Sequence, residues 1–199
     1  MPMEEVMSVT GKMIRKMGMG LIPGPVNTKD KFMTVSTKMI RRMDMELIPL
    51  PLEMLIQRSM RVEDVLEVMD IEARSYDFPW SEKIFLDCMK AGYLCNVAHV
   101  GGVLAAYGIM SFGAGEAHIL NVCVDASYRR QGFGKLLITK LLEIVKTHNV
   151  SSVYLEVRPS NLAAIDLYSQ IGFSKVGERL KYYPALNGRE DAHVLNLTM

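Results

Sequence analysis

A short turn with two glycines, placed between a largely apolar run and an amphipathic run, constrains this chain more than any other feature. Residues 118–124 read as a buried strand, residues 136–148 carry apolar side chains at helical spacing, and Arg-Arg-Gln-Gly-Phe-Gly-Lys at 129–135 joins them. Gly132 and Gly134 remove two Cβ atoms where the helix begins, so an anion can approach the free N–H groups of the first turn. The turn therefore predicts a phosphate site at the end of a strand.

The spacing of the turn narrows the choice of ligand. Its three cationic side chains suit a phosphate-bearing molecule. A Walker A loop needs a glycine where Arg129 stands and a serine or threonine where Leu136 stands, and a dinucleotide fingerprint needs a glycine at Leu137. Neither a nucleoside triphosphate nor a dinucleotide is favoured. A solvated basic turn in front of an ordinary helix is the alternative that these seven residues leave open.

Periodicity predicts the order ααβββαβαββ, which is a mixed α/β layer fold. The helices are expected at 61–76, 81–90, 132–148 and 161–171, and the strands at 93–100, 103–111, 116–124, 152–158, 173–182 and 191–198. Ser81 and Asn161 are candidate N-caps. Gly101-Gly102 suits a tight hairpin turn, and the strand at 116–124 is apolar on both faces, which predicts a central position in the sheet.

The turn resembles the pyrophosphate loop of the GCN5-related N-acetyltransferases, whose Arg/Gln-x-x-Gly-x-Gly/Ala pattern cradles the diphosphate of acetyl-CoA. Further segments are similar, in order and spacing, to bacterial members that acetylate the N-terminal alanine of small-subunit ribosomal protein 18. These segments are 78–82, 121–125, 155–158, 161–168, 172–173, 182–184 and 188–192. Across about residues 54–199, the resemblance implies an acetyl-CoA-dependent N-acetyltransferase with a mostly antiparallel central sheet flanked by helices.

The resemblance also implies roles for particular residues. Glu156 matches the family's general base and Tyr168 its general acid, while Tyr182 and Tyr183 belong to acceptor-side segments. A ribosomal protein N-terminus is the implied acceptor, and acetyl-CoA is the implied co-substrate, with no metal. The residues implied to bind acetyl-CoA are Val122, Cys123, Val124, Arg130, Gln131, Gly132, Phe133, Gly134, Lys135 and Asn161.

Residue chemistry supports these roles and leaves alternatives. In an alternating strand at 152–158, Glu156 lies on the polar face; pairing with Arg158 or another cation is the alternative. An α-amine with a pKa near 8 is about one-tenth neutral at pH 7, whereas a lysine near 10.4 is less than about one-thousandth neutral, so an N-terminal amine needs only a modest base. Tyr168 suits proton donation to a departing thiolate, and a core aromatic is the alternative.

Residues 1–53 differ from the rest of the chain. They are rich in methionine, and the segment at 12–25 recurs at 38–51 with a period of 26 residues. Two copies are too few for a solenoid, and each ends in Pro-x-Pro. We expect a flexible, disordered extension, or upstream sequence read from too early a start, with the catalytic domain at 54–199. A sticky amphipathic patch for a membrane or the ribosome is the alternative.

Composition limits the remaining function classes. With 23 Lys+Arg against 22 Asp+Glu, no global charge recruits nucleic acid or an anionic membrane. The three cysteines and four histidines lack the spacing of metal ligands. The cysteines are odd in number and lie mostly in apolar runs, which predicts reduced core thiols in a reducing, cytoplasmic compartment. No apolar run approaches the ~20 residues of a membrane span, and no signal-peptide core is present. Acetylation of a small amine or lysine, or a non-catalytic CoA-binding module, remains open, as does the oligomeric state.

Overall fold

Seven strands and four α-helices make up residues 55–199, the part of the chain that the computed structural model describes. The strands are β1 (Leu55–Ser59), β2 (Leu94–Val100), β3 (Val103–Gly113), β4 (Glu116–Val124), β5 (Ser152–Val157), β6 (Ser174–Ala185) and β7 (Gly188–Thr198). The α-helices are α1 (Val65–Ser75), α2 (Glu82–Lys90), α3 (Phe133–Lys146) and α4 (Leu162–Ile171). Short 3₁₀ turns at Val62–Asp64 and Ala126–Tyr128 precede α1 and the glycine loop.

The strands form one sheet in the order β1-β2-β3-β4-β5-β7-β6. Every neighbouring pair is antiparallel except β4 and β5, which run parallel. The predicted mixed fold, with a mostly antiparallel sheet flanked by helices, is confirmed, and β4 is central as expected. The sequence prediction missed β1. This five-residue strand is too short to show a clear alternation and forms by pairing along β2.

The helices cover the two faces of the sheet in pairs. Side chains of α3 and α4 pack with Val153, Leu155 and Val157 of β5 in one apolar cluster. Side chains of α1 and α2 pack on the other face against β2, β3 and Cys123 of β4 in a second cluster. Both faces of the central strands β3 and β4 are therefore covered by apolar side chains.

Turn and cap residues lie where the sequence places them. Gly101 and Gly102 take positive φ angles of 58° and 84° in the β2–β3 hairpin. Asn161 caps α4 by accepting a hydrogen bond from the Ala164 N–H at 3.2 Å. Ser81 does occupy the N-cap position of α2, although its hydroxyl makes no cap hydrogen bond.

The parallel strands β4 and β5 open a gap in the sheet. They pair only between residues 116–119 of β4 and residues 152–155 of β5. Leu120 follows as a bulge, where the pairing of β4 with β3 shifts register. A bulge bends its strand, and β4 then continues to Val124 without a partner in β5. The end of β4 thus leaves backbone groups free beside a cleft.

The predicted extension at 1–53 and the predicted domain start at Met54 lie outside the described residues. Within 55–199, no helix is long and apolar enough to cross a membrane. The same range contains no group of three or more His, Cys, Asp or Glu side chains arranged to hold a metal ion.

Candidate active site

The glycine loop presents unpaired backbone donors at the start of α3. Arg130 and Gly132 both have positive φ, 63° and 86°, and Gly132 occupies the N-cap position. The first backbone bond of the helix runs from the Leu136 N–H to the Gly132 carbonyl at 3.0 Å. The N–H groups of residues 133–135 have no backbone acceptor within 55–199. These donors and the positive end of the helix dipole form a site for an anionic group.

Gly134 lies in a closely packed place. A Cβ atom at this position would lie 3.1 Å from Leu167 Cδ2 and 3.6 Å from Val124 Cγ2. The first turn of α3 therefore approaches both α4 and the free end of β4 more closely than a side chain would easily allow. This approach places the loop donors beside the gap between β4 and β5.

A cavity of about 460 Å³ lies between the loop, the end of β4 and α4. It brings together nine of the ten residues predicted to bind acetyl-CoA: Val122, Cys123, Val124, Arg130, Gly132, Phe133, Gly134, Lys135 and Asn161. Gln131 does not line the cavity, and its amide donates to the Ser127 carbonyl at 3.3 Å. Glu156, Tyr168, Tyr182 and Tyr183 also lie outside the cavity lining.

The three loop cations differ in their surroundings. Arg129 is tied to the protein, because its guanidinium donates to the Val124 carbonyl at 2.9 Å and to Ser75 Oγ at 3.2 Å. Neither Arg130 nor Lys135 forms an ion pair with any residue of 55–199, and both are exposed at the cavity. Arg130 and Lys135 are therefore the cations available to an anionic ligand, while Arg129 joins the end of β4 to α1.

Tyr76 is a cavity residue that the sequence prediction missed. It follows the last turn of α1, and its hydroxyl donates to the Val122 carbonyl at 3.0 Å. Although the whole residue is 36% exposed, burial of its hydroxyl end beside Cys123 and Glu72 raises the pKa of Tyr76 well above its usual value. A contact between residues 46 positions apart leaves no local sequence signal.

Glu156 lies on the polar face of β5, as predicted. The alternate residues of the strand, Val153, Leu155 and Val157, are buried against α3 and α4 on the other face. The Glu156 side chain is 9% exposed and forms an ion pair with Arg179 of β6, with 2.9 Å between Glu156 Oε1 and Arg179 Nε. The cation beside Glu156 is thus Arg179, whereas Arg158 pairs with Glu190 at 3.0 Å.

Tyr168 is a buried phenol on α4. Its ring packs edge-on against Phe173 with the ring centroids 5.7 Å apart, and the side chain belongs to the core cluster under β5. Burial raises the pKa of Tyr168 to about 12. Tyr168 in turn contributes to the raised pKa of Tyr76 and of Tyr183, so the three phenols lie within electrostatic reach of one another. The Tyr168 hydroxyl makes no hydrogen bond to another residue of 55–199 and stays protonated at neutral pH.

Tyr182 and Tyr183 of β6 surround Glu156. The Tyr183 hydroxyl donates to the Glu156 carbonyl at 2.9 Å, and the two tyrosine rings meet edge to face at 4.9 Å. The Arg158 guanidinium lies 4.4 Å from the Tyr183 ring centroid, and that of Arg179 lies 5.6 Å from the Tyr182 ring centroid. Burial raises the pKa of both tyrosines. Two aromatic rings and two arginines therefore lie near Glu156 on β5 and β6.

Comparisons with known proteins place this geometry in context. Residues 65–173 match the model of the acetyltransferase (GNAT) family. A [ribosomal protein bS18]-alanine N-acetyltransferase of Escherichia coli strain K12 is 39% identical over 139 residues, which cover 70% of this chain and 94% of that protein. A protein of the same name from Haemophilus influenzae is 34% identical, with 66% and 90% covered.

Solved structures show the same similarity. The crystal structure of the ribosomal-protein-S18-alanine N-acetyltransferase from Escherichia coli matches with a TM-score of 0.69 and 38% identity, covering 73% of this chain and 94% of that one. The structure of Ard1 from Thermoplasma volcanium matches with a TM-score of 0.67 and 26% identity, covering 73% and 98%.

Proposed function

The chain belongs to the acetyltransferase (GNAT) family, and from this membership we propose that it acetylates the N-terminal alanine of small-subunit ribosomal protein 18. The acetyl donor is acetyl-CoA, and the reaction is a direct transfer in a ternary complex. The observation that carries the proposal is the joint presence of a cavity beside the loop and a largely buried carboxylate, Glu156, near the same gap in the sheet. A ribosomal acceptor implies action in the cytoplasm.

The loop side suits a ligand with a diphosphate. Unpaired N–H groups of residues 133–135, together with the exposed side chains of Arg130 and Lys135, provide donors and positive charge for its oxygens. Asn161 and the backbone of residues 122–124 line the rest of the cavity. In this proposal the free N–H groups at the end of β4 hold the pantetheine arm and polarise the thioester carbonyl. Acetyl-CoA supplies an acetyl group that is already activated as a thioester.

Glu156 acts as the general base. It accepts the proton that the acceptor amine loses as the nitrogen bonds to the acetyl carbon, directly or through one water. An α-amine of pKa near 8 needs only a modest base at neutral pH. Arg179 neutralises the carboxylate before the acceptor arrives, which is consistent with their 2.9 Å ion pair. The tyrosines around Glu156 line the acceptor side in this proposal.

Tyr168 acts as the general acid. As the carbon–sulfur bond breaks, the departing sulfur takes the phenolic proton, and the electron pair of that bond stays on sulfur. The proton held by Glu156 returns to Tyr168 through water, so both residues are restored after each turnover. A pKa raised to about 12 keeps Tyr168 protonated, as a proton donor must be at neutral pH.

Single-turnover transfer from labelled acetyl-CoA tests this function. The acceptors are a hexapeptide beginning Ala-Arg-Tyr, the same peptide with a blocked N-terminus, and that blocked peptide with an internal lysine. We expect label only on the free N-terminus. Transfer to lysine would instead identify a lysine or small-amine acetyltransferase. Tight CoA binding without transfer to any amine would identify a binding module.

We also propose that the catalytic unit begins near Met54, because the family match covers residues 65–173 and β1 belongs to the same sheet through its pairing with β2. A chain shortened to start at Met54 is expected to transfer acetyl at the rate of the full chain in the same assay. A loss of more than about tenfold would show that the first 53 residues contribute to the site.

A further inference from the structure

A carboxylate buried beneath the gap organises three separate elements. Glu72 of α1 is 2% exposed. It accepts hydrogen bonds from the Trp80 N–H at 2.9 Å, from the Tyr107 hydroxyl, and from Asn121 Nδ2 at 3.3–3.4 Å. No lysine, arginine or histidine of 55–199 pairs with it. The Trp80 N–H donates to one carboxylate oxygen and the Tyr107 hydroxyl to the other, so both oxygens of Glu72 act as hydrogen-bond acceptors.

This arrangement fixes the orientation of the Asn121 amide. Because both carboxylate oxygens act as acceptors, Glu72 can bind only the NH₂ end of the amide, so the oxygen end turns away from Glu72. Asn121 is half-buried, and its Oδ1 accepts no hydrogen bond from a residue of 55–199. The buried side-chain atoms of that range that lack a hydrogen-bond partner do not include Asn121 Oδ1, so this oxygen is not fully buried. The amide oxygen is therefore an accessible, unused acceptor.

Asn121 lies at the gap between β4 and β5, on the same side of the sheet as Glu156. Asn121 directly follows the bulge at Leu120, where β4 separates from β5. It faces α1, because it bonds to Glu72. Glu156 points to the same side of the sheet, since its neighbours in β5 are buried under α3 and α4 on the other side. Asn121 and Glu156 thus flank one opening, each from its own strand.

We propose that Asn121 binds the incoming amine of the acceptor, through its amide oxygen, and that Glu72 holds it in the required orientation. The inference rests on the proposed function and adds a specificity residue to it. An α-amino group offers two or three N–H donors. One can bind Asn121 while another gives its proton to Glu156, so the nitrogen lone pair is directed into the cleft. Glu72 does not touch the acceptor and is a positioning residue.

Two variants test the proposal. Asn121→Leu keeps the volume and removes the acceptor; we expect kcat/KM for the Ala-Arg-Tyr hexapeptide to fall about 10- to 100-fold. Glu72→Gln still accepts from Trp80, but its own NH₂ forces Asn121 to turn its oxygen inward. The same loss is therefore expected, and the double variant should lose no more than Asn121→Leu alone. Asn196→Leu is the control, because that amide bonds to the Val153 carbonyl in β5.

Binding measurements separate this role from a structural one. By calorimetry, both variants should bind acetyl-CoA within twofold of the wild type and bind the hexapeptide, with CoA present, at least tenfold more weakly. Unchanged peptide binding and rate in Asn121→Leu would overturn this proposal alone. A parallel loss of acetyl-CoA affinity would also overturn it, since Asn121 would then only shape β4. If Asn121→Leu does not fold, Glu72→Gln decides by the same two affinities. Wild-type protein that acetylates no amine would overturn the proposed function as well.

Discussion

The two sides of the cleft are built from different parts of the chain. The proposed acetyl-donor side, around residues 129–135 and the end of β4, is made mostly of backbone groups, and its shape depends on glycines with positive φ or close packing. The proposed acceptor side, around Glu156, is made of side chains from β5 and β6 that pair and stack on one another. Backbone sites tolerate side-chain changes but not added Cβ atoms, whereas side-chain sites depend on single functional groups.

The largest expected effect lies on the acceptor side. Glu156→Gln cannot accept a proton, so single-turnover acetylation of the Ala-Arg-Tyr hexapeptide should slow about 10²- to 10⁴-fold. The loss should be greatest at low pH, where more of the α-amine is protonated. Acetyl-CoA affinity should not change, because Glu156 lies outside the donor cavity. Glu178→Gln, an exposed carboxylate on β6 that pairs with Lys175, is the control. An unchanged rate in Glu156→Gln would remove the assigned base.

The Tyr168 ring packs in the core, whereas its hydroxyl makes no hydrogen bond to another residue of 55–199. Removing the hydroxyl alone therefore separates a packing role from the proposed catalytic role. Tyr168→Phe keeps the packing against Phe173 and should lower kcat about 10- to 100-fold, with little change in Tm. Since burial raises the pKa of Tyr168 to about 12, its proton stays in place until about that pH. Wild-type kcat should therefore show no decline from this group up to about pH 10. Tyr154→Phe, a ring that stacks on His118, is the control. If kcat of Tyr168→Phe equals that of the wild type, Tyr168 serves only in core packing.

The proposed acetyl-donor side should respond to an added Cβ atom rather than to the loss of a functional group. Gly132→Ala places a Cβ at a φ of 86°, which costs about 1–2 kcal/mol and strains the backbone that presents the loop N–H groups. We expect acetyl-CoA affinity, by calorimetry, to fall about tenfold. Gly102→Ala is a matched control with a φ of 84° and nothing near its Cβ, so it should lose similar stability and keep full affinity. Equal affinities in the two variants would contradict a backbone-built phosphate site.

The smallest effect concerns acid stability on the acceptor side. Burial lowers the pKa of His118 below its usual 6.5. As the pH falls below about 6.5, the unfolded chain binds this proton before the folded chain does, so the folded state loses stability. His118→Gln should reduce the drop in Tm between pH 7 and pH 5 by about a degree or two. His148→Gln, at an exposed position after α3, is the control. If the drop in Tm is the same in His118→Gln, other groups account for it, such as the half-buried His99, whose pKa is also lowered by burial.

Much of the donor side was predictable and little of the acceptor side was. Glycines at 132 and 134 indicate from the sequence alone that the backbone can accept an anion closely. Nine of the ten residues predicted to bind acetyl-CoA line one cavity. The partner of Glu156 was not predictable, because Arg179 reaches it across a strand pairing that no local pattern encodes. The roles of Glu156, Tyr168, Tyr182 and Tyr183 stay predictions until the variants above are measured.

Local sequence determined the elements of this protein, because periodicity and glycine act over a few neighbouring residues. The strand–loop–helix unit around Gly132, the α4 cap at Asn161 and the alternation that turns Glu156 away from the core all follow from such short-range rules. Tertiary structure alone decided the gap between β4 and β5, the pairing of Arg179 with Glu156 and the anchoring of Asn121 by Glu72. Those features depend on which distant strands and helices meet, and contact between distant residues is set by packing of the whole domain.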